Sequence, residues 1–178
     1  MDPKIHLDLI VPDFKQTMVR SVDCWRFAEQ LKDPTTCPHV FKGSIPITQN
    51  DLMEEFIEEK KKGSIIWFIQ DGGITIGYCG LFSYKPVFGS WEYRIFILDK
   101  TWQGKGIGTE VTKRVVHHAF HRLNAHRIWL DVNGENAPAL RVYERAGFNH
   151  EGTFRDALWL NGEYHDMVRY AILEPKRK

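Results

Sequence analysis

Residues 102–110 read WQGKGIGTE, three glycines alternating with Lys105 and Ile107 between an apolar run and a helical pattern. Alternating glycines clear side chains from one side of a turn and permit φ > 0 where the chain needs it. Consecutive backbone N–H groups can then converge on one point. A helix beginning at about Thr109 adds its unpaired first-turn N–H groups and the positive end of its dipole. Such a loop suits an anion, phosphate above all. The alternative is a tight strand-to-helix turn with no ligand. Spacing excludes two phosphate loops. GxxxxGK[ST] fails because Gly104-Lys105 is followed by Gly106 and position 99 is Asp, and GxGxxG fails because the third glycine arrives early, at Gly108. No acidic residue stands at 123–130, where a ribose-binding one would fall.

Outward from the loop, Trp91–Leu98 reads as a strand before it. A helix follows from about Thr109 to Leu123, with Val111, Val115, Ala119 and Leu123 at four-residue spacing. Arg127–Val132 reads as a buried strand. Asn136–Ala146 is a short helix with Pro138 in its first turn and Gly147 just past its end. Phe148–Leu160, the Asn161-Gly162 turn and Glu163–Leu173 make a closing hairpin. Upstream, Ile65–Gln70 and Ile74–Ser83 flank the Asp71-Gly72-Gly73 hairpin signal. Thr48 caps an amphipathic helix with Leu52, Met53, Phe56 and Ile57 on one side, ending at Lys60–Lys62. Residues 33–47 read as a long loop, Phe14–Leu31 as a helix and Ile5–Val11 as a first strand. This order predicts one α/β domain over residues 1–178: a mixed, mostly antiparallel sheet of about seven strands with about four helices.

Bulk properties agree with a compact globular domain of 178 residues, 43% apolar and 26% charged. A net charge of +1 argues against a nucleic-acid partner. Cys24, Cys37 and Cys79 are odd in number and lack CxxC spacing, as expected of reduced thiols in a cytoplasmic protein. No secretory leader or apolar run of about 18 residues is seen, so no membrane span is expected.

Two motifs carry a resemblance. Gln103, Gly106 and Gly108 match Q/R-x-x-G-x-G/A after a strand and at a helix start. Asn136 then leads a helix ending Tyr143-Glu-Arg-Ala-Gly147-Phe148. The sequence thereby resembles the GNAT superfamily of acetyl-CoA-dependent N-acetyltransferases, well over residues 64–173 and by element order alone over residues 1–63. Its closing stretch is similar to the branch that acetylates ribosomal-protein N-termini and polyamines. The resemblance implies a GNAT-like sheet and acetyl-CoA as co-substrate. Its pyrophosphate would sit on the amides of Gln103, Gly104, Lys105, Gly106, Ile107, Gly108 and Thr109. Its pantetheine arm would lie along a splayed strand end at Phe96, Ile97 and Leu98, and Asn136 would hydrogen-bond the coenzyme. It assigns Tyr143 as the acid that protonates the departing thiolate. A Tyr hydroxyl with pKa about 10 is protonated at neutral pH and can donate. The other reading of Tyr143 is a core aromatic on the face of Leu140.

One departure concerns the base. Related enzymes often carry a Glu ten residues before the loop Gln, where this chain has Tyr93, with Glu92 one position earlier. With a period of two, that offset puts Glu92 on the other face of the sheet unless a bulge intervenes. Glu92 is a candidate base, a salt-bridged Glu is the alternative, and water can serve instead. No metal is expected: His117, His118 and His121 offer two imidazoles at i, i+4 without a supporting carboxylate or Cys, and Asp131–Asn136 lacks the glycine of a calcium loop. The expected partners are acetyl-CoA and an amine acceptor, a protein N-terminus or a small amine such as a polyamine, amino sugar or aminoglycoside. The resemblance allows a homodimer through a sheet edge. The reading from another class is a non-catalytic acyl-CoA-binding regulatory domain.

Overall fold

The computed structural model describes residues 5–9, 28–31, 48–71, 74–98 and 100–175. Seven described strands form one sheet, and each helix follows from a local signal. Thr48 opens α1 (Gln49–Lys61) with a reciprocal capping box: its side chain accepts from the Asp51 N–H while the Asp51 carboxylate accepts from the Thr48 N–H. Lys60 and Lys61 occupy the last turn, where cations suit the helix dipole. The strands are β1 (Ile5–Leu9), β2 (Ile65–Asp71), β3 (Ile74–Lys85), β4 (Ser90–Ile97), β5 (Arg127–Asn133), β6 (Asn149–Leu160) and β7 (Glu163–Leu173). The helices α2 (Ile107–Arg122) and α3 (Ala137–Arg145) flank β5 in the chain.

The sheet order is β1-β2-β3-β4-β5-β7-β6, antiparallel everywhere except between β4 and β5. Both faces of its centre are covered. Trp67, Ile69, Tyr93, Ile128 and Leu130 pack against Ile107, Val111 and Val115 of α2 and Tyr143 of α3. Ile66, Phe68, Tyr78 and Phe82 pack against Leu52 and Phe56 of α1, with Phe56 edge-on to Tyr78 at 5.2 Å. Burial on two faces explains why β2 reads as a continuous apolar run rather than an alternating one. Fully burying one such side chain stabilises the fold by about 1.5–3 kcal/mol.

Parallel pairing between β4 and β5 is short. Only Ser90, Trp91 and Glu92 face Arg127, Ile128 and Trp129. Beyond Glu92, β4 stays on β3 as far as Ile97, while β5 follows β7 to Asn133. The two strands therefore part from Tyr93 onward, and the sheet has a gap in its middle.

The structure sharpens several boundaries. α2 begins at Ile107, two residues before the expected onset, because Gly106 takes a left-handed φ of +81° and turns the chain straight into the helix. β5 is buried at Ile128, Leu130, Val132 and Asn133, while Asp131 is exposed and pairs with Arg169 of β7. β3 runs on to Lys85, with an irregular register past Phe82. Of the helix expected over 14–31, residues 28–31 are helical and the rest lies outside the described residues, as does the loop expected over 33–47. Likewise Gly72 and Gly73 lie outside them, although Asp71 pairs with Ile74.

Candidate active site

The glycine loop follows a 3₁₀ turn at Lys100–Trp102. Gly104 and Gly106 hold φ of +74° and +81°, and a Cβ built on either would meet nothing within 4 Å. Their requirement is conformational, and the space above them is open. Gly106 is the N-cap of α2 and no side chain caps the helix. The first intrahelical bond runs from the Glu110 N–H to the Gly106 oxygen at 3.1 Å, so the N–H groups of Ile107, Gly108 and Thr109 precede the ladder. Gly108 differs: a Cβ there would make ordinary contact with Val142 of α3, at 3.4 Å from its Cγ2. The Lys105 ammonium sits 4.9 Å from the Trp102 ring centre, at the rim of the loop.

The loop adjoins the gap. The Leu98 N–H donates to the Ile76 oxygen at 3.0 Å. Backbone direction alternates along a strand, so Leu98 and Phe96 turn their polar groups to β3, and Ile97 and Ile95 turn theirs towards the gap. Phe96 stacks on Tyr78 at 4.8 Å. Gln103 reaches the same place by its side chain, whose amide donates to the Ile97 oxygen at 2.9 Å. Ile97 and the glycine loop thus adjoin, whereas Phe96 and Leu98, expected along the coenzyme arm, spend their backbone groups on β3, and Leu98 is fully buried.

On the far side of the gap stands α3. Asn136 is its N-cap, accepting the Ala139 N–H on Oδ1 at 3.2 Å, and Pro138 lies in the first turn. Tyr143, about two turns further on, is 7% exposed. Its ring tilts against Phe148 and Tyr170. Burial pushes its hydroxyl up to about 12, so it stays protonated through the neutral and mildly alkaline range. Core packing and a protonated donor coexist in this one side chain.

Glu92 lies on the opposite face. Its Oε1 accepts from Arg94 Nε at 2.6 Å and its Oε2 from the Ser83 hydroxyl at 3.0 Å. The Arg94 guanidinium lies 4.6 Å from the Phe82 ring centre and also faces Glu55 and Glu59 of α1. Burial raises the Glu55 carboxyl pKa against the pull of Arg94. Lys62 joins this group and pairs with Glu59 at 2.8 Å, so Arg94 and Lys62 share the charge of Glu55, Glu59 and Glu92. The structure thus sets Glu92 and Tyr143 on opposite faces of the sheet, both near the gap.

The partners missed in the sequence are the buried Thr112 and the partly exposed Arg94. Thr112 stands four residues after Gly108, the spacing at which a Thr hydroxyl bonds back to a carbonyl. Cys79 is fully buried, and desolvation pushes its thiol up, away from the reactive thiolate. The His117 and His121 rings stack at 4.0 Å, and no group of three metal-ligating side chains occurs among the described residues. No described helix is long and apolar enough to cross a membrane.

A family model described as the acetyltransferase (GNAT) domain matches residues 16–149. The chain belongs to the GNAT acetyltransferase family. Among curated relatives, the probable N-acetyltransferase YjcK of Bacillus subtilis is 45% identical over 80 residues, which is 45% of this chain and 44% of that protein. Spermidine N(1)-acetyltransferase of Escherichia coli K12 is 27% identical over 125 residues, 70% of this chain and 66% of the relative. The chain thus spans less than two thirds of the length of these relatives. Among solved structures, spermidine N-acetyltransferase from Vibrio cholerae in complex with CoA and spermine aligns with a TM-score of 0.80 at 24% identity, covering 96% of this chain and 95% of the other. Ribosomal-protein-S5-alanine acetyltransferase from Vibrio fischeri aligns at 0.77 and 21% identity, covering 98% and 95%. At these identities the likeness is one of fold, and the mixed sheet expected from the sequence is the GNAT fold.

Proposed function

We propose that this GNAT protein transfers an acetyl group from acetyl-CoA to a primary amine by direct attack in a ternary complex. The observation that carries the reading is the gap between β4 and β5, bounded by the uncapped glycine loop on one side and the helix of Tyr143 on the other. The coenzyme supplies an acetyl thioester. The loop amides from Gly104 to Thr109 bind its pyrophosphate, the Gln103 N–H being held by the Lys100 oxygen at 3.2 Å, and the gap-facing main chain of Ile95 and Ile97 pairs with the pantetheine arm. Asn136 keeps the Ala139 N–H on its oxygen and offers its NH₂ to the coenzyme. The amine nitrogen attacks the thioester carbonyl, the C–N bond forms and the C–S bond breaks. Tyr143 gives its proton to the leaving sulfur. The proton lost by the amine passes to Glu92 or through water to solvent. Donor and base on opposite faces suit an acceptor that approaches from the α1 side while the thiol leaves on the α3 side. Buried Cys79 supports direct transfer over an acetyl-cysteine intermediate.

A cationic acceptor such as a polyamine is favoured by Glu55, Glu59 and Glu92 on the approach face and by relatives named spermidine acetyltransferases. A protein N-terminus is the second reading, supported by a relative named a putative ribosomal N-acetyltransferase. The test is release of free thiol from acetyl-CoA with a panel of polyamines, amino sugars and N-terminal peptides. Turnover with one class assigns the acceptor. Coenzyme binding without turnover on any amine would leave the non-catalytic reading.

A further inference from the structure

A buried polar chain runs from the centre of the sheet to the first turn of α2. The Tyr93 hydroxyl lies 3.1 Å from Thr112 Oγ1, and Thr112 Oγ1 lies 2.6 Å from the Gly108 oxygen. Tyr93 is 2% exposed and Thr112 fully buried. The direction of the chain is fixed by chemistry. A carbonyl oxygen only accepts, so the Thr112 hydrogen goes to Gly108, and the Tyr93 hydroxyl donates to Thr112. The Gly108 oxygen shares a peptide group with the Thr109 N–H, one of the three amides ahead of the helical ladder. A carbonyl that accepts a strong hydrogen bond polarises its peptide and makes the attached N–H a better donor. Desolvation raises the Tyr93 pKa well above its ordinary value, so the chain keeps its donor.

We infer that Tyr93 and Thr112 are positioning residues for the coenzyme pyrophosphate, holding and polarising the Gly108–Thr109 peptide from inside the protein. The inference rests on the proposed coenzyme site. It assigns β4 a second task besides edging the gap: its side chain at position 93 sets the strength of an anion cradle that it never touches.

The test compares the full chain with Tyr93→Phe, Thr112→Val and Thr112→Ser, each checked for thermal unfolding. Two donors are used, acetyl-CoA and acetyl-pantetheine, which has the same thioester without the pyrophosphate. Tyr93→Phe and Thr112→Val should each raise the dissociation constant and KM for acetyl-CoA about fivefold, the loss of roughly one net hydrogen bond. Saturating kcat and turnover of acetyl-pantetheine should stay within twofold, and Thr112→Ser should restore affinity. Unchanged acetyl-CoA affinity in a folded Tyr93→Phe overturns the inference alone. An equal loss with both donors also overturns it, since that marks general loosening. Failure of the unsubstituted chain to bind acetyl-CoA overturns the functional reading and this inference with it.

Discussion

The Gln103 side chain donates to the main-chain oxygen of Ile97 at 2.9 Å, tying the glycine loop to the last residue of β4. The acceptor faces the gap and the donor belongs to the loop, so this bond links the two parts of the proposed coenzyme site. Gln103 therefore has two roles at different atoms. Its backbone begins the loop, and its carboxamide fixes how far the loop stands from the strand.

Gly106→Val should weaken acetyl-CoA binding more than tenfold. At φ +81° with open space around it, the substitution adds backbone strain and puts methyl groups where the anion would sit. Gly162→Val is the control, because Gly162 has φ +90° and equally open surroundings in the β6–β7 turn. Calorimetry should show comparable destabilisation in both and lost affinity in Gly106→Val alone. Equal affinities would place the pyrophosphate elsewhere.

Asn136→Asp and Asn136→Ala separate capping from coenzyme contact. The Asp variant keeps an oxygen for the Ala139 N–H, so its stability should match the original. The Ala variant should lose about 1 kcal/mol in urea denaturation. Both lose the NH₂ group, and both should bind acetyl-CoA several-fold more weakly. Affinity that tracks stability instead would reduce Asn136 to a helix cap.

The loop, the starts of α1 and α3 and all seven strands were legible because of local signals such as the alternating glycines, the Thr48 and Asn136 caps and the Asn161-Gly162 turn. The face of Glu92 followed from strand period alone. Less was legible where contacts join distant segments. The Gln103–Ile97 bond, the Ser83–Glu92 bond and the Tyr93–Thr112 contact depend on register and helix placement, which no local pattern states. The onset of α2 was misplaced because a glycine N-cap lacks the polar side chain that announces a helix.

Glu92→Gln tests the base. The amide keeps hydrogen bonds available to Ser83 and Arg94 but cannot take a proton. If Glu92 takes the amine proton, kcat should fall at least tenfold near pH 7 and recover towards the amine pKa, where the acceptor deprotonates unaided. A flat ratio of variant to original across pH would leave water as the base and Glu92 as a partner of Arg94.

Alkaline stability should report the buried tyrosines. An unfolded Tyr titrates at about 10, while Tyr143 in the fold titrates at about 12. The unfolded chain then loses its proton first, so stability is fully present below about pH 10 and falls as pH rises towards 12. For Tyr143 the loss is about 3 kcal/mol at most, and Tyr93 acts in the same direction. Urea midpoints measured from pH 8 to 11.5 should decline less steeply in Tyr143→Phe. An unchanged slope would show that Tyr143 ionises in the fold as it does in the unfolded chain.

Tyr143→Phe also decides the catalytic role. The substitution keeps the ring that packs on Phe148 and Tyr170 and removes only the hydroxyl. General acid catalysis contributes ~10²–10⁴ in rate, so kcat should fall at least about a hundredfold while acetyl-CoA affinity changes little. With the acid titrating at about 12, the rise of rate with pH up to the acceptor pKa belongs to the amine and should survive in the variant. The size of the defect should depend on the leaving group. A thioester whose thiol is more acidic needs less protonation, and turnover with such a donor should be restored in Tyr143→Phe relative to acetyl-CoA. A folded variant with near-normal kcat on acetyl-CoA, or one equally impaired with both donors, would assign Tyr143 to packing and the leaving-group proton to water.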